Sequence, residues 1–128
     1  MTDERIAAAM AMIDQAPTVE VGGGKQYTMV QERVVAFRTH FGLEYGIGTI
    51  LLKDDGKTIQ VQANITDPNG NVIGSGLAEE VRGVGKVNKT SALENTETSA
   101  IGRALASLGL HGSEYASANV MDKVNRMS

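Results

Sequence analysis

The chain has 128 residues, 41% of them hydrophobic, and a formal net charge of -3 at neutral pH. This length and apolar content predict one folded domain with a core and exclude a disordered chain. Cysteine is missing from the sequence, which excludes disulfides, thiolate metal sites and cysteine nucleophiles. Two histidines are too few to indicate a metal cluster, so no metal or cofactor is expected.

The N-terminal segments predict a helix followed by a connector. Residues 1–16 form one amphipathic helix that ends before Pro17, because a residue preceding proline disfavours helical geometry. The segment is too short to span a bilayer and has no basic leader, so a cytoplasmic protein is expected. The three glycines at 22–24 predict a flexible connector. The Gly-Gly-Gly-Lys segment that ends at Lys25 does not have the residue spacing of a phosphate-binding loop.

A second helix is predicted over residues 29–41, where Gly42 occupies the position of a C-terminal cap. Its apolar residues recur at helical spacing, which assigns both phenylalanines to the core: Val30, Val34, Phe37 and Phe41.

Three strands are predicted next, over residues 45–52, 58–66 and 71–81, separated by turns rich in Asp, Asn and Gly. The middle strand alternates apolar and polar residues, which predicts an antiparallel meander with one buried (dry) face and one solvent-exposed (wet) face. Gly74 and Gly76 interrupt the third strand and predict a bulge or a close backbone approach.

A loop rich in glycine and basic residues precedes a long helix, which begins with a predicted capping box at 91–94 and ends at Gly109. An apolar stripe on this helix is expected to cover the dry face of the sheet: Leu93, Ala100, Ile101, Ala104, Leu105 and Leu108. Arg103 is expected nearly opposite the stripe, and Glu97 falls inside it without a physical reason. A last short helix is predicted over 113–127.

The predicted fold class is therefore α+β. A three-stranded antiparallel β-meander is covered by a long α-helix, a β-β-β-α core with preceding N-terminal helices. The whole chain, 1–128, is expected to be one domain. It comprises a helix and glycine-rich connector at 1–24, the core at 25–112, and a C-terminal helix or tail at 113–128.

Three blocks within this core carry a family resemblance. They are the helix that opens near Tyr27 and ends in Phe-Gly, the Gly-x-Gly segment at 74–79, and the long helix at 92–109 with its run at 98–109. In this order and spacing they resemble the Rad fifty-two superfamily of single-strand annealing proteins, which includes several phage recombination proteins. The likeness covers about 27–112. It implies rings or filaments that bind single-stranded DNA and anneal complementary strands in homologous recombination and repair. It also implies a single-strand-binding protein or an exonuclease as partner.

The resemblance also implies where DNA is bound. The family's long helix contacts the DNA backbone with three basic residues, and the matching positions here are Gly102, Arg103 and Ala106, so only Arg103 keeps its charge. Arg33 lies one residue from another matching arginine position. Lys86 and Lys89 of the preceding loop either replace the lost charges or are ordinary solvated lysines. The predicted DNA-binding residues are Arg103, Lys86, Lys89, Arg33 and Arg82.

Two other classes of function are alternatives to DNA binding. An enzyme is not expected, because the aspartates at 54, 55 and 67 have sufficient roles in turns and no nucleophile-base-acid set is visible. The alternative is a protein-interaction or scaffold module of the same fold that has lost DNA binding, which Gly102 and Ala106 favour. The open edges of a three-stranded sheet favour a homo-oligomer in either case.

Overall fold

The computed structural model describes residues 3–84 and 90–112. Within these residues, three α-helices and two small antiparallel sheets confirm the α+β fold, with a three-stranded sheet packed against the last helix and preceded by N-terminal helices. The predicted helix at 113–127 lies outside the described residues. The elements in chain order are α1 (Glu4–Gln15), β1 (Val19–Val21), β2 (Lys25–Tyr27), α2 (Val30–Phe41), β3 (Gly46–Asp54), β4 (Thr58–Thr66), β5 (Val72–Val81) and α3 (Ala92–Leu108).

The N-terminal helix is capped and packs on α2. The carboxylate of Asp3 accepts a hydrogen bond from the N–H of Arg5 at 2.8 Å, and Ala9 and Ile13 are buried. The predicted flexible connector is instead the turn of a short hairpin, in which β1 pairs with β2 in antiparallel register. The glycines take this turn because Gly23 has a φ of 78°, a conformation that residues with a Cβ rarely adopt.

The second helix carries the aromatic part of the core, as predicted. The rings of Phe37 and Phe41 stack with centroids 5.0 Å apart, and Tyr45 meets Phe41 edge-on at 5.2 Å. The helix ends where expected, at Gly42, whose φ is 79°.

The sheet has the order β3-β4-β5 and is antiparallel throughout. Its central strand confirms the alternating pattern, because Ile59, Val61, Ala63 and Ile65 are buried beneath α3 while the residues between them are partly exposed. The register of β3 shifts between Leu51 and Lys53, where a bulge occurs.

The long helix lies directly on the backbone of β5, which confirms the close approach predicted at the two glycines. A Cβ on Gly76 would lie 2.5 Å from the backbone nitrogen of Ala104, and one on Gly74 would lie 2.9 Å from the carbonyl oxygen of Ala104. Any side chain at either position would therefore push the helix off the sheet. Leu105 is fully buried, and Gly109 ends the helix with a φ of 118°.

Two details of the long helix differ from the prediction. Ser91 is the N-cap residue but forms no side-chain capping hydrogen bond. Leu93 is 42% exposed, whereas its neighbour Ala92 is buried. Glu97 is exposed at the flank of the helix, where its carboxylate accepts a hydrogen bond from Thr49 of β3 at 2.8 Å. This bond supplies the physical reason that the sequence lacked.

Within residues 3–84 and 90–112, no helix has both the length and the apolar character needed to cross a membrane.

Candidate nucleic-acid interface

Arg103 projects from α3 beside the outer edge of the sheet. It is exposed, and its Cβ would lie 2.7 Å from a Cβ placed on Gly76. The side chain therefore lies on the flank of the helix that faces β5. The expectation that it lies nearly opposite the apolar stripe of the helix is wrong. A shallow cavity of about 320 Å³ opens at this place, lined by Ser75, Gly76, Leu77, Arg103 and Ser107.

The wall of this cavity includes the open edge of β5. The N–H of Ser75 turns outward and donates to Ser107 Oγ at 2.9 Å, and that hydroxyl donates to the carbonyl of Ala104 at 2.8 Å. Because amide groups alternate in direction along a strand, the N–H of Leu77 also points to the open edge. Within the described residues, Arg103 forms no hydrogen bond or ion pair. A guanidinium beside an outward amide is an arrangement that holds an oxyanion.

Two further cations, Arg82 and Lys57, lie at the end of the sheet where the β3–β4 turn meets the end of β5. The N–H of Arg82 donates to the carbonyl of Lys57 at 2.7 Å, which joins the two segments. The Arg82 guanidinium donates to Asp54 at 2.8 Å and thereby holds the pKa of that carboxyl below its usual value. Part of the charge of Arg82 is thus offset by Asp54.

The turn that carries Lys57 is held by an aspartate. The Oδ1 of Asp55 accepts from the N–H of Thr58 at 2.8 Å and from that of Lys57 at 2.9 Å, and these bonds lower the pKa of Asp55. The side chain of Lys57 is exposed and has no ion-pair partner in the part of the chain that the structure describes. We refer to Lys57, Arg82 and Arg103 as the basic surface.

Arg33 does not contribute to this surface. It is only 5% exposed, and its Nη1 donates to the carbonyl oxygens of Gly102 at 3.0 Å and Leu110 at 3.2 Å. The predicted contact between Arg33 and DNA does not fit this burial, because the guanidinium binds the end of α3 instead. A buried arginine of this kind ties two helices together.

The other predicted cations have different outcomes. Arg82 and Arg103 are exposed as expected, whereas Lys86 and Lys89 lie outside the described residues and stay a prediction. Lys57 is not among the predicted binding residues, because it falls in the turn between the first two predicted strands. The signal was the meander itself, since its antiparallel register places the residue after the Asp-Gly turn beside the end of β5.

The acidic side chains of the described residues do not cluster into a metal site. Residues 3–84 and 90–112 contain no group of three or more His, Asp or Glu side chains that could hold an ion. The turn aspartates bind backbone N–H groups, Asp67 for example those of Asn69 and Asn71 at 2.9 Å. Their structural roles are thus as the sequence predicts.

The order α2-β3-β4-β5-α3 and the basic surface define a small α-β-β-β-α domain with exposed cations at one end and one edge of its sheet. Residues 34–108 match the model of the Slr1353 N-terminal dsRNA-binding domain-like family, and because this match covers more than half of the chain, the chain belongs to that family. The domains of this family are similar to dsRNA-binding domains. No curated protein and no solved structure matches the chain.

This membership overturns the resemblance to the Rad fifty-two superfamily, and with it the basis for strand annealing, recombination and rings. The residues that carried the resemblance have structural reasons instead. Gly42 and Gly109 end helices with positive φ, and Gly74 and Gly76 let α3 approach β5. Such packing residues recur wherever a helix lies on a short meander, so they do not distinguish one family from another.

Proposed function

We propose that the chain binds double-stranded RNA through the basic surface. The observation that carries the proposal is the combination of a match to a dsRNA-binding domain-like family with exposed cations on the matched α-β-β-β-α domain. Family membership favours the class of ligand, and the cations supply contacts to phosphate.

The positions of the cations suit a charged backbone that runs along β5. Arg103 lies over Gly76, six residues before Arg82, which corresponds to about 20 Å along an extended strand. Lys57 lies beside Arg82 at the far end. A ligand that contacts both places therefore spans several phosphates, as a duplex does, and a single bound ion would not.

The aromatic residues favour a duplex over a single strand. Proteins that bind single strands without sequence preference stack bases on exposed aromatic rings. Of the described aromatic residues, Phe37, Phe41 and Tyr45 pack on one another, and Tyr27 is half-buried in the β1–β2 hairpin. Double-stranded RNA is recognised mostly by shape and by phosphate and 2′-hydroxyl contacts, which need no stacking platform.

The negative charge of the whole chain predicts modest affinity and a marked dependence on salt. With a net charge of -3, long-range attraction to RNA is absent, and binding depends on the local cations. Three phosphate contacts on a duplex give a slope of about -3 for log affinity against log salt concentration.

The test compares four labelled ligands of one sequence in low salt. These are an RNA duplex of about 20 base pairs, long enough for the roughly 16 base pairs that such domains span, the matching DNA duplex, and the single strands of RNA and DNA. We expect the RNA duplex to bind tightest, since it alone combines A-form shape with 2′-hydroxyls. Tighter binding of single-stranded DNA, or no binding of any ligand, would contradict the proposal.

A further inference from the structure

The face of the sheet that turns away from α3 is more apolar than a solvated face requires. The register places Ile50, Gln62 and Leu77 in one row across the three strands. Ile50 and Leu77 are 50% and 60% exposed, and Leu52 beside them is 49% exposed. Exposed aliphatic side chains on both outer strands, on either side of the polar Gln62, are a feature of interaction surfaces. We refer to these residues, with Lys53, Gln60 and Glu79, as the open face.

The open face is concave at one place as well as partly apolar. A second shallow cavity of about 320 Å³ lies on it, lined by Leu52, Gln60, Leu77, Ala78 and Glu79. The amide of Gln60 donates to Glu79 at 2.6 Å, and that of Gln62 donates to Asn64 at 3.2 Å. These bonds satisfy the amide groups of the central strand within the sheet, and Ile50, Leu52 and Leu77 on the outer strands are exposed.

The charges of the open face lie at opposite edges. In the row next to that of Ile50, Lys53 on β3 and Glu79 on β5 flank the uncharged Gln60. A two-fold axis parallel to β4 reverses the strand order of a second copy, so that its β5 lies over the first copy's β3. Each Lys53 then faces a Glu79 of the other copy, and each Ile50 faces a Leu77. The face is therefore complementary to itself in charge and in apolar content.

We propose that two copies of this chain pack face to face through the open face, with sheets stacked about 10 Å apart and their strands reversed in order. The pattern does not suit a nucleic acid. Among the described residues of the open face Lys53 is the one cation, it lies 3.6 Å from the carboxylate of Asp55, and Glu79 would repel phosphate. Arg103 lies on the α3 side of the sheet and is not part of the open face, and Leu77 borders both its cavity and the open face.

The test is sedimentation equilibrium of the full chain between about 1 and 100 μM, a range that covers weak and moderate dimers. We expect dimers of twice 13.5 kDa. Lys53→Glu and Glu79→Lys each place like charges opposite one another twice in the symmetric interface, and each should weaken dimerisation about tenfold. The double variant restores both pairs and should recover wild-type association.

A matched pair of apolar variants tests the same surface independently. Ile50→Asp puts a charge opposite Leu77 of the other copy and should abolish the dimer, whereas Leu43→Asp, at a residue 89% exposed before β3, should not. Circular dichroism confirms that each variant is folded. A monomer at 100 μM would overturn the proposal. So would a dimer whose dissociation constant is the same in wild type, both charge reversals and Ile50→Asp.

Discussion

The guanidinium of Arg33 fills the space that a side chain at Gly102 would need. Its Nη1 donates to the Gly102 carbonyl at 3.0 Å, and a Cβ on Gly102 would lie 2.8 Å from Nη2 and 2.9 Å from Val30. The same Nη1 reaches the carbonyl of Leu110 beyond the end of α3. Glycine at 102 is therefore a requirement of the contact between α2 and α3.

A methyl group at Gly102 should destabilise the domain. Gly102→Ala forces Arg33 or Val30 aside, and overpacking of this kind costs about 1–3 kcal/mol. Urea unfolding measures the change. Gly48→Ala is the matched control, because a Cβ there meets nothing within 4 Å. Equal stabilities of the two variants would show that the helix contact is looser than described.

Removal of the Arg33 guanidinium should cost stability and leave RNA binding intact. Arg33→Met fills similar volume but leaves the carbonyls of Gly102 and Leu110 without this donor, at a cost of about 1–3 kcal/mol. Thermal unfolding and RNA titration of the folded variant are measured in parallel. If the variant had unchanged stability but no longer bound RNA, Arg33 would belong to the RNA-binding surface.

Truncation of Leu105 should test how α3 docks on the sheet. Leu105 is fully buried, so Leu105→Ala should lower the free energy of unfolding by about 2–5 kcal/mol. Leu93 lies on the same helix but is 42% exposed, so Leu93→Ala should cost much less. The described docking would be disproved if Leu93→Ala had a lower free energy of unfolding than Leu105→Ala.

The β4–β5 turn should lose stability in acid. The carboxylate of Asp67 accepts a hydrogen bond from the backbone N–H of Asn71, which is the main cause of its lowered pKa. The side-chain amide of Asn71 and the N–H of Asn69 lower this pKa further. A carboxyl with a lowered pKa stabilises the fold above its unfolded pKa of about 3.9, and this contribution is lost as pH falls through the folded pKa. Asp67→Asn should therefore be less stable than wild type at pH 7 and equal to it near pH 2. Melting curves at both pH values measure this, and a difference that persists at pH 2 would contradict it.

The elements that the sequence predicts well are those whose signals are local. The alternation around Val61 and the caps at Gly42 and Gly109 depend on neighbouring residues alone, so their periods and caps are visible in the sequence. The turn residues of the hairpins belong to the same group.

The features that the sequence could not predict depend on distant partners. Arg33 meets Gly102 across 69 residues, and Lys57 meets the end of β5 only after the sheet has formed. The burial of one arginine and the exposure of another cannot be told from composition. The family was misjudged for a related reason, since glycines required by packing resemble a family signature.

The salt dependence of duplex RNA binding tests the central claim most directly. Affinity of wild type, Lys57→Ala, Arg103→Ala and the double variant is measured between about 25 and 200 mM salt, with Lys25→Ala on the β1–β2 hairpin as a control of equal charge change. Each lost phosphate contact should flatten the slope of log affinity against log salt by about 0.9. We expect the double variant to lose about two such contacts and Lys25→Ala none. Wild-type affinity and slope in the double variant would contradict binding through the basic surface.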